Sequence, residues 1–200
     1  MTKSPNAPVE RFQMVKQHHY RTFHTAVKTQ KADKAAIPLC TFLNDQTKYF
    51  TTSSCAGRIL LLNVDSMETK QETAFLYKSH ETANALTAWN SLGAPTRNEV
   101  WFKQEPFILH IGTDSLENAN RILSCSREAG IKRGGIMVAK PGKFLLELLG
   151  TQGISAPVKH KKELLVDEKY FGFLVKRANL KLEKNAQQLQ RFERIVREKL

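Results

Sequence analysis

Between Lys48 and Val64 the sequence changes character twice, with no room for a helix. Tyr49, Phe50, Thr51 and Thr52 are aromatic or β-branched. Ser53-Ser54-Cys55-Ala56-Gly57-Arg58 is small and polar, and Ile59-Leu60-Leu61-Leu62-Asn63-Val64 is almost wholly apolar. This pattern reads as a strand, a polar turn with a glycine, and a buried strand. Strand groups joined without intervening helices argue for an α+β fold with a mixed or antiparallel sheet.

The flanking sequence fits that class. Val9, Phe12, Val15, His19 or Tyr20, Phe23 and Val27 recur at three- or four-residue spacing, which predicts an amphipathic helix. A second helix is expected after Asp33, a suitable N-cap, with Pro38 near its first turn. Further expectations are a strand over 73–78, a helix over 81–92 ended by Gly93, and strands over 100–103 and 107–111. Asp114 or Ser115 caps a helix ended by Gly130. Residues 135–139 and 144–149 form a hairpin around Pro141-Gly142. A short strand over 164–166 precedes a long charged helix capped by Asp167. Residues 1–8, with two prolines, are expected to form a loose tail, and 9–200 a single domain with helices around the sheet.

Composition narrows the partners. Lys plus Arg outnumber Asp plus Glu by 31 to 19, a formal net charge of +12. A polyanion such as nucleic acid is the common use of such a charge, and a merely soluble basic protein is the plain alternative. Cys40, Cys55 and Cys125 are far apart, without a CxxC pair, so no zinc site is expected and a reducing compartment fits. No apolar run approaches a membrane span, and a cytoplasmic protein is expected.

Several residues carry chemistry, each with a plainer reading beside it. Ser53, Ser54 and Cys55 place hydroxyls and a thiol near turning backbone, Gly57 permits close approach, and Arg58 offers a fork of donors for carboxylate or phosphate. The alternative is a hydrogen-bonded turn with Cys55 packed as a small apolar residue. Cys55 as a nucleophile is a third reading. His110, within Phe107-Ile108-Leu109-His110-Ile111, is either a core histidine or a group that moves a proton near neutral pH. Asp33 is a helix cap or a free carboxylate. Gly134 and Gly135, after Lys132 and Arg133, either admit a ligand or follow a helix end. His18, His19 and His24 have poor spacing for one metal. Lys161, Lys162 and the cations of the last helix, Arg177 among them, form a solvated face or track a phosphate backbone. GxGxxG, GxSxG, HExxH and the P-loop are all absent, so a dinucleotide-binding Rossmann fold has no support.

Read as one string, Phe50-Thr51-Thr52-Ser53-Ser54-Cys55-Ala56-Gly57-Arg58-Ile59 resembles the SxSSCxGR motif of the wybutosine-synthesis protein 3 family. Glu105 to His110, Gly135 to Val138, Gly150 to Gly153 and Tyr170 to Asn179 extend the likeness along nearly the whole chain. The leucine-rich continuation after Arg58 looks like the eukaryotic branch. The resemblance implies a methyltransferase that is not of the Rossmann type and uses S-adenosyl-L-methionine. Its substrate would be N4 of the tricyclic guanosine derivative beside the anticodon of phenylalanine tRNA. It implies Asp33 and His110 as catalytic residues. Ser53, Ser54, Cys55, Gly57 and Arg58, with Gly134 and Gly135, are the candidate cofactor contacts. Arg58, Lys132, Arg133, Lys161, Lys162 and Arg177 are the candidate RNA contacts. Thr51 stands where the motif opens with serine, which keeps a hydroxyl. Lys34 and Ala35 stand where the family often has further acids. The alternative is a tRNA-binding module, or a scaffold of the same pathway, without catalysis.

Overall fold

The computed structural model describes residues 7–64 and 74–200. The elements run α1 (Ala7–Lys28), α2 (Ile37–Asp45), β1 (Tyr49–Cys55), β2 (Arg58–Val64), β3 (Ala74–Ser79), α3 (Ala85–Ser91), β4 (Glu99–Glu105) and β5 (Ile108–Thr113). Then follow α4 (Leu116–Glu128), β6 (Arg133–Lys140), β7 (Lys143–Leu149), β8 (Ile154–His160), β9 (Glu163–Leu164) and α5 (Glu168–Lys199). The α+β class and the long last helix are as expected. The strands make two wholly antiparallel sheets, ordered β1-β5-β7-β6 and β3-β2-β4-β8-β9. Of the expected tail over 1–8, residues 1–6 lie outside the described residues, while Ala7 and Pro8 belong to α1. Thr73, expected to open a strand, also lies outside them.

The chain packs as two compact units. One takes the chain up to Ala56 with Phe107–Gly150 and Ala186–Leu200, and the other takes Gly57–Pro106 and Thr151–Asn185. In the first, Leu109 and Ile111 of β5 and Leu146 and Leu148 of β7 meet Leu39 and Leu43 of α2, Ile122 of α4 and Phe192 of α5 in one core. Antiparallel alternation puts every second residue of these strands into it. The opposite face carries Phe50, whose ring lies 5.7 Å from Phe12 and stacks on His19 at 5.3 Å and 3°. Gly112 sits opposite Phe50 in register. A Cβ there would fall 2.0 Å from the Phe50 ring, so only glycine leaves room for it.

The second unit buries Ile59 and Leu61 of β2, Val100 and Phe102 of β4, and Val158 of β8 against Ala88 of α3 and Phe171, Val175 and Ala178 of α5. Phe102 meets Phe171 edge-on at 5.6 Å. Lys159 is buried, and its ammonium donates to the carbonyls of Leu92 (2.6 Å) and Ala94 (2.8 Å), which satisfies acceptors at the end of α3.

Several local expectations change. Ser53, Ser54 and Cys55 belong to β1 itself, and the link to β2 shrinks to Ala56-Gly57. β1 and β2 then enter different sheets. α2 starts at Ile37 with Ala36 as N-cap and no side-chain cap bond, so Asp33 does not cap it. α3 is shorter than 81–92 because Asn84 caps it, accepting from Thr87 N–H at 3.0 Å. β8 has no counterpart among the expected strands, and it contains Pro157. It is tolerated because β9 pairs only with Lys159 and His160, which leaves Pro157 on an open edge.

Two outcomes follow from the Phe50 packing. Gly112→Ala forces the aromatic stack apart and lowers the unfolding free energy by about 1–3 kcal/mol, measured by urea titration. Burial, His18 and Lys143 together hold the His19 pKa below the free-imidazole value. The unfolded chain then binds the extra proton, so stability present above about pH 6.5 is lost as pH falls through the lower folded value. His19→Phe keeps a ring stacked on Phe50 and flattens that acid limb in unfolding titrations across pH.

Candidate functional site

β1 is an edge strand, and its outer side is held by side chains from the segment before it. Asn44 Oδ1 accepts the Thr51 N–H at 2.8 Å, and Asn44 Nδ2 donates to the Thr51 hydroxyl at 2.9 Å. Asn44 is buried, so both bonds form away from water. The Lys16 ammonium donates to the carbonyls of Asn44 (2.5 Å) and Tyr49 (2.6 Å). At the far end, the Ala56 N–H donates to Asp33 Oδ2 at 2.6 Å, and the Ala35 N–H donates to Asp33 Oδ1 at 3.2 Å. Between these two clamps the pairing with β5 breaks register, between Thr51 and Ser54. Thr52 and Ser53 therefore leave the regular ladder.

A cleft of about 200 Å³ opens beside this irregular stretch. Thr22, Phe23 and Ala26 of α1 form one wall, Asp33, Ile37 and Cys40 another, and Thr51–Ser54 the floor. Ser54 Oγ is buried at the cleft with no nitrogen or oxygen partner, beside the Cys40 thiol. Burial pushes the Cys40 thiol pKa up, while the Ser54 and Thr51 hydroxyls work against it. Cys40 is thus a neutral wall rather than a thiolate. The structure brings Asp33, Ser53 and Ser54 together at this cleft. Asp33 does so as a latch on the end of β1.

His110 stands apart from the cleft lining. Its Nε2 lies 2.8 Å from Glu147 Oε2, with the two side chains 20% and 27% exposed. His110, Glu147 and Gly135 pair across β5, β7 and β6 in one row. A Cβ on Gly135 would meet nothing within 4 Å, so the row ends in open space. A carboxylate can only accept, so the imidazole hydrogen sits on Nε2 and Nδ1 is left as the acceptor. Glu147 escaped the sequence reading. Its signal is a single acid in Phe144-Leu145-Leu146-Glu147-Leu148-Leu149, opposite in phase to the buried Leu146 and Leu148. Gly134 has a backbone reason for being glycine: at φ +149° its Cβ would lie 2.4 Å from the Glu147 carbonyl oxygen.

The remaining candidates are spread over the two units. Gly57 has φ +108°, a left-handed conformation that glycine adopts without strain. Arg58 Nε donates to Glu105 Oε2 at 2.5 Å, across paired positions of β2 and β4. Lys132 and Arg133 are exposed at the start of β6, Lys161 and Lys162 in the β8–β9 turn, and Arg177 on α5. Cys55 closes β1 opposite Ile108, partly buried. No described helix is long and apolar enough to cross a membrane.

A non-Rossmann α+β fold with a cleft at a Ser-Ser-Cys edge strand defines a class with known members. Residues 11–198 match the family described as Methyltransferase TYW3, and the chain belongs to that family. The tRNA wybutosine-synthesizing protein 3 homolog of Mus musculus is 37% identical over 163 residues, which are 80% of this chain and 63% of that protein. The chain thus spans less than two thirds of that relative's length. A protein of Thermococcus kodakarensis is 30% identical over 184 residues, 92% of this chain and 93% of its own. It is named tRNA(Phe) 7-((3-amino-3-carboxypropyl)-4-demethylwyosine(37)-N(4))-methyltransferase 1. The solved structure of the PH1069 protein from Pyrococcus horikoshii superposes with a TM-score of 0.85 at 26% identity, covering 92% of this chain and 95% of that one.

Removing the latch has a local readout. Asp33→Ala leaves the Ala56 N–H without its acceptor, and amide exchange at Ala56 quickens by about tenfold, as expected for a bond to a charged group.

Proposed function

We propose that this chain transfers a methyl group from S-adenosyl-L-methionine to N4 of the tricyclic guanosine derivative in phenylalanine tRNA. The observation that carries this reading is the Thermococcus kodakarensis relative, named for that reaction and aligned over more than nine tenths of both chains. The cleft fits one end of the methyl donor. Its polar groups are a carboxylate at Asp33 and hydroxyls at Ser53 and Ser54, the Ser54 oxygen being buried. At about 200 Å³ it lies below the roughly 300–1,000 Å³ of pockets that take a whole drug-sized ligand. It therefore suits the zwitterionic amino-acid end, with Asp33 facing the ammonium. When bound, the cofactor supplies an electrophilic methyl group.

The protein's part is alignment and proton management. Asp33, Ser53 and Ser54 orient, and the buried Cys40 with the half-buried Phe23 excludes water from the cleft. His110 takes the proton from the attacked nitrogen at Nδ1, while Glu147 holds the ring through Nε2. Exposed Lys132, Arg133, Lys161, Lys162 and Arg177 contact phosphates, as the net charge of +12 favours.

The test is incubation of the purified chain with precursor tRNA and methyl-labelled cofactor, followed by nucleoside mass spectrometry. Wild-type protein yields the N4-methylated nucleoside. His110→Ala and Asp33→Ala each lower transfer by about 10²–10⁴-fold with the fold retained. Near-normal turnover in both rules out these roles. Binding of tRNA without any transfer would favour the non-catalytic binding module.

A further inference from the structure

The face of the β3-β2-β4-β8 sheet opposite its core carries a pattern that neither the cleft nor the His110 row uses. In register, Phe75, Leu62, Trp101 and Pro157 form one row across the four strands, and Lys78, Leu60, Lys103 and Ser155 the next. The core side of the same strands holds Tyr77, Leu61, Phe102 and Ala156. An aromatic-apolar row therefore lies about 7 Å from a row in which Lys78 and Lys103 flank the buried Leu60, with Phe75 and Trp101 about 10 Å apart across β2.

Phe75 reaches this face through an irregularity. Leu61 pairs with Tyr77, yet the next residue, Leu62, pairs with Phe75, so β3 carries one extra residue at Leu76. Strict alternation from Tyr77 would have sent Phe75 into the core. Instead its ring is 50% exposed, with the Arg58 guanidinium 5.7 Å and the Lys78 ammonium 5.4 Å from its centroid. Lys103 lies 5.8 Å from the Trp101 ring. The exposed Phe75 and the half-buried Trp101 are thus each bordered by cations, an arrangement that hydrophobic packing does not require.

Two acids on this face act as fasteners. Glu105 accepts from Arg58 Nε at 2.5 Å, and Glu99 accepts from Trp101 Nε1 at 3.2 Å. With its single donor already used, the indole is fixed in place and offers a partner its π surface.

The geometry points to this face as a platform for single-stranded RNA, with bases stacking on Phe75 and Trp101 and phosphates meeting Arg58, Lys78 and Lys103. An antiparallel sheet presenting two aromatics beside cations suits unpaired nucleotides, because every base has a π face and every link a negative charge. A duplex keeps its bases stacked and has no use for exposed rings. An anionic membrane would be drawn to the cations, but it gains nothing from two fixed rings set a defined distance apart. The platform rests on the tRNA reading above only for the identity of the strand: it would hold the unpaired nucleotides that flank the modified base.

The test is anisotropy of a fluorescein-labelled single-stranded oligoribonucleotide titrated with the full chain at several salt concentrations. Phe75→Ala and Trp101→Ala should each weaken binding about tenfold, and the double variant further, with unchanged thermal unfolding. Lys78→Ala and Lys103→Ala should each make the salt dependence shallower by about 0.7 in the logarithmic slope. Wild-type affinity in the aromatic double variant overturns the platform. So does binding of phosphatidylserine vesicles, but not RNA, through the same residues. The methyl-transfer assay separates the two readings. RNA binding that depends on Phe75 and Trp101 without transfer removes the catalytic reading alone. Transfer with binding and KM unaltered in the double variant removes the platform alone.

Discussion

The cleft exists because the outer edge of β1 is fastened at two points and left irregular between them. Asn44 takes both the main-chain N–H and the hydroxyl of Thr51, and Asp33 takes the N–H of Ala56. A free edge ordinarily invites another strand, since its N–H and C=O groups are unpaired. Here buried or partly buried side chains occupy the edge, and the register break at Thr52 and Ser53 finishes the job of making it unfit for pairing. The same arrangement leaves the serine hydroxyls facing the walls formed by Phe23, Ile37 and Cys40. One local solution thus protects the sheet and shapes the cleft.

Much of this architecture was legible from periodicity and caps. α1, α4, the β6–β7 hairpin and α5 with its Asp167 cap all follow from residue spacing and turn chemistry. The Ser-Ser-Cys segment was recognised, but its role as a strand end was not, because small polar residues look like a turn in one dimension. Asp33 looked like an N-cap by proximity to α2. Its true partner, Ala56, lies 23 residues downstream, a pairing that only tertiary structure creates. Glu147 was hidden for a related reason: nothing local says that β5 and β7 will place it opposite His110.

The two sheets divide the chemistry between them in different ways. The first holds carboxylate, hydroxyl and imidazole groups in two separate settings, the edge cleft and the His110–Glu147–Gly135 row. The second holds its polar groups mostly as fasteners. Lys159, the Arg58–Glu105 pair and the Trp101–Glu99 bond each fix a side chain or a helix end. A net charge of +12 therefore overstates the number of free cations, since several are already engaged in holding the fold.

The extra residue at Leu76 makes the character of an entire sheet face a matter of parity. With it, the ring of residue 75 looks outward beside ammonium and guanidinium groups; shorten the hairpin arm by a single position and the same ring would be steered toward the interior. Chains of this kind can thus gain or shed a stacking surface through one-residue length changes, leaving every side-chain type untouched. Comparison of such proteins by residue identity alone would miss the difference, whereas counting positions along this arm would reveal it.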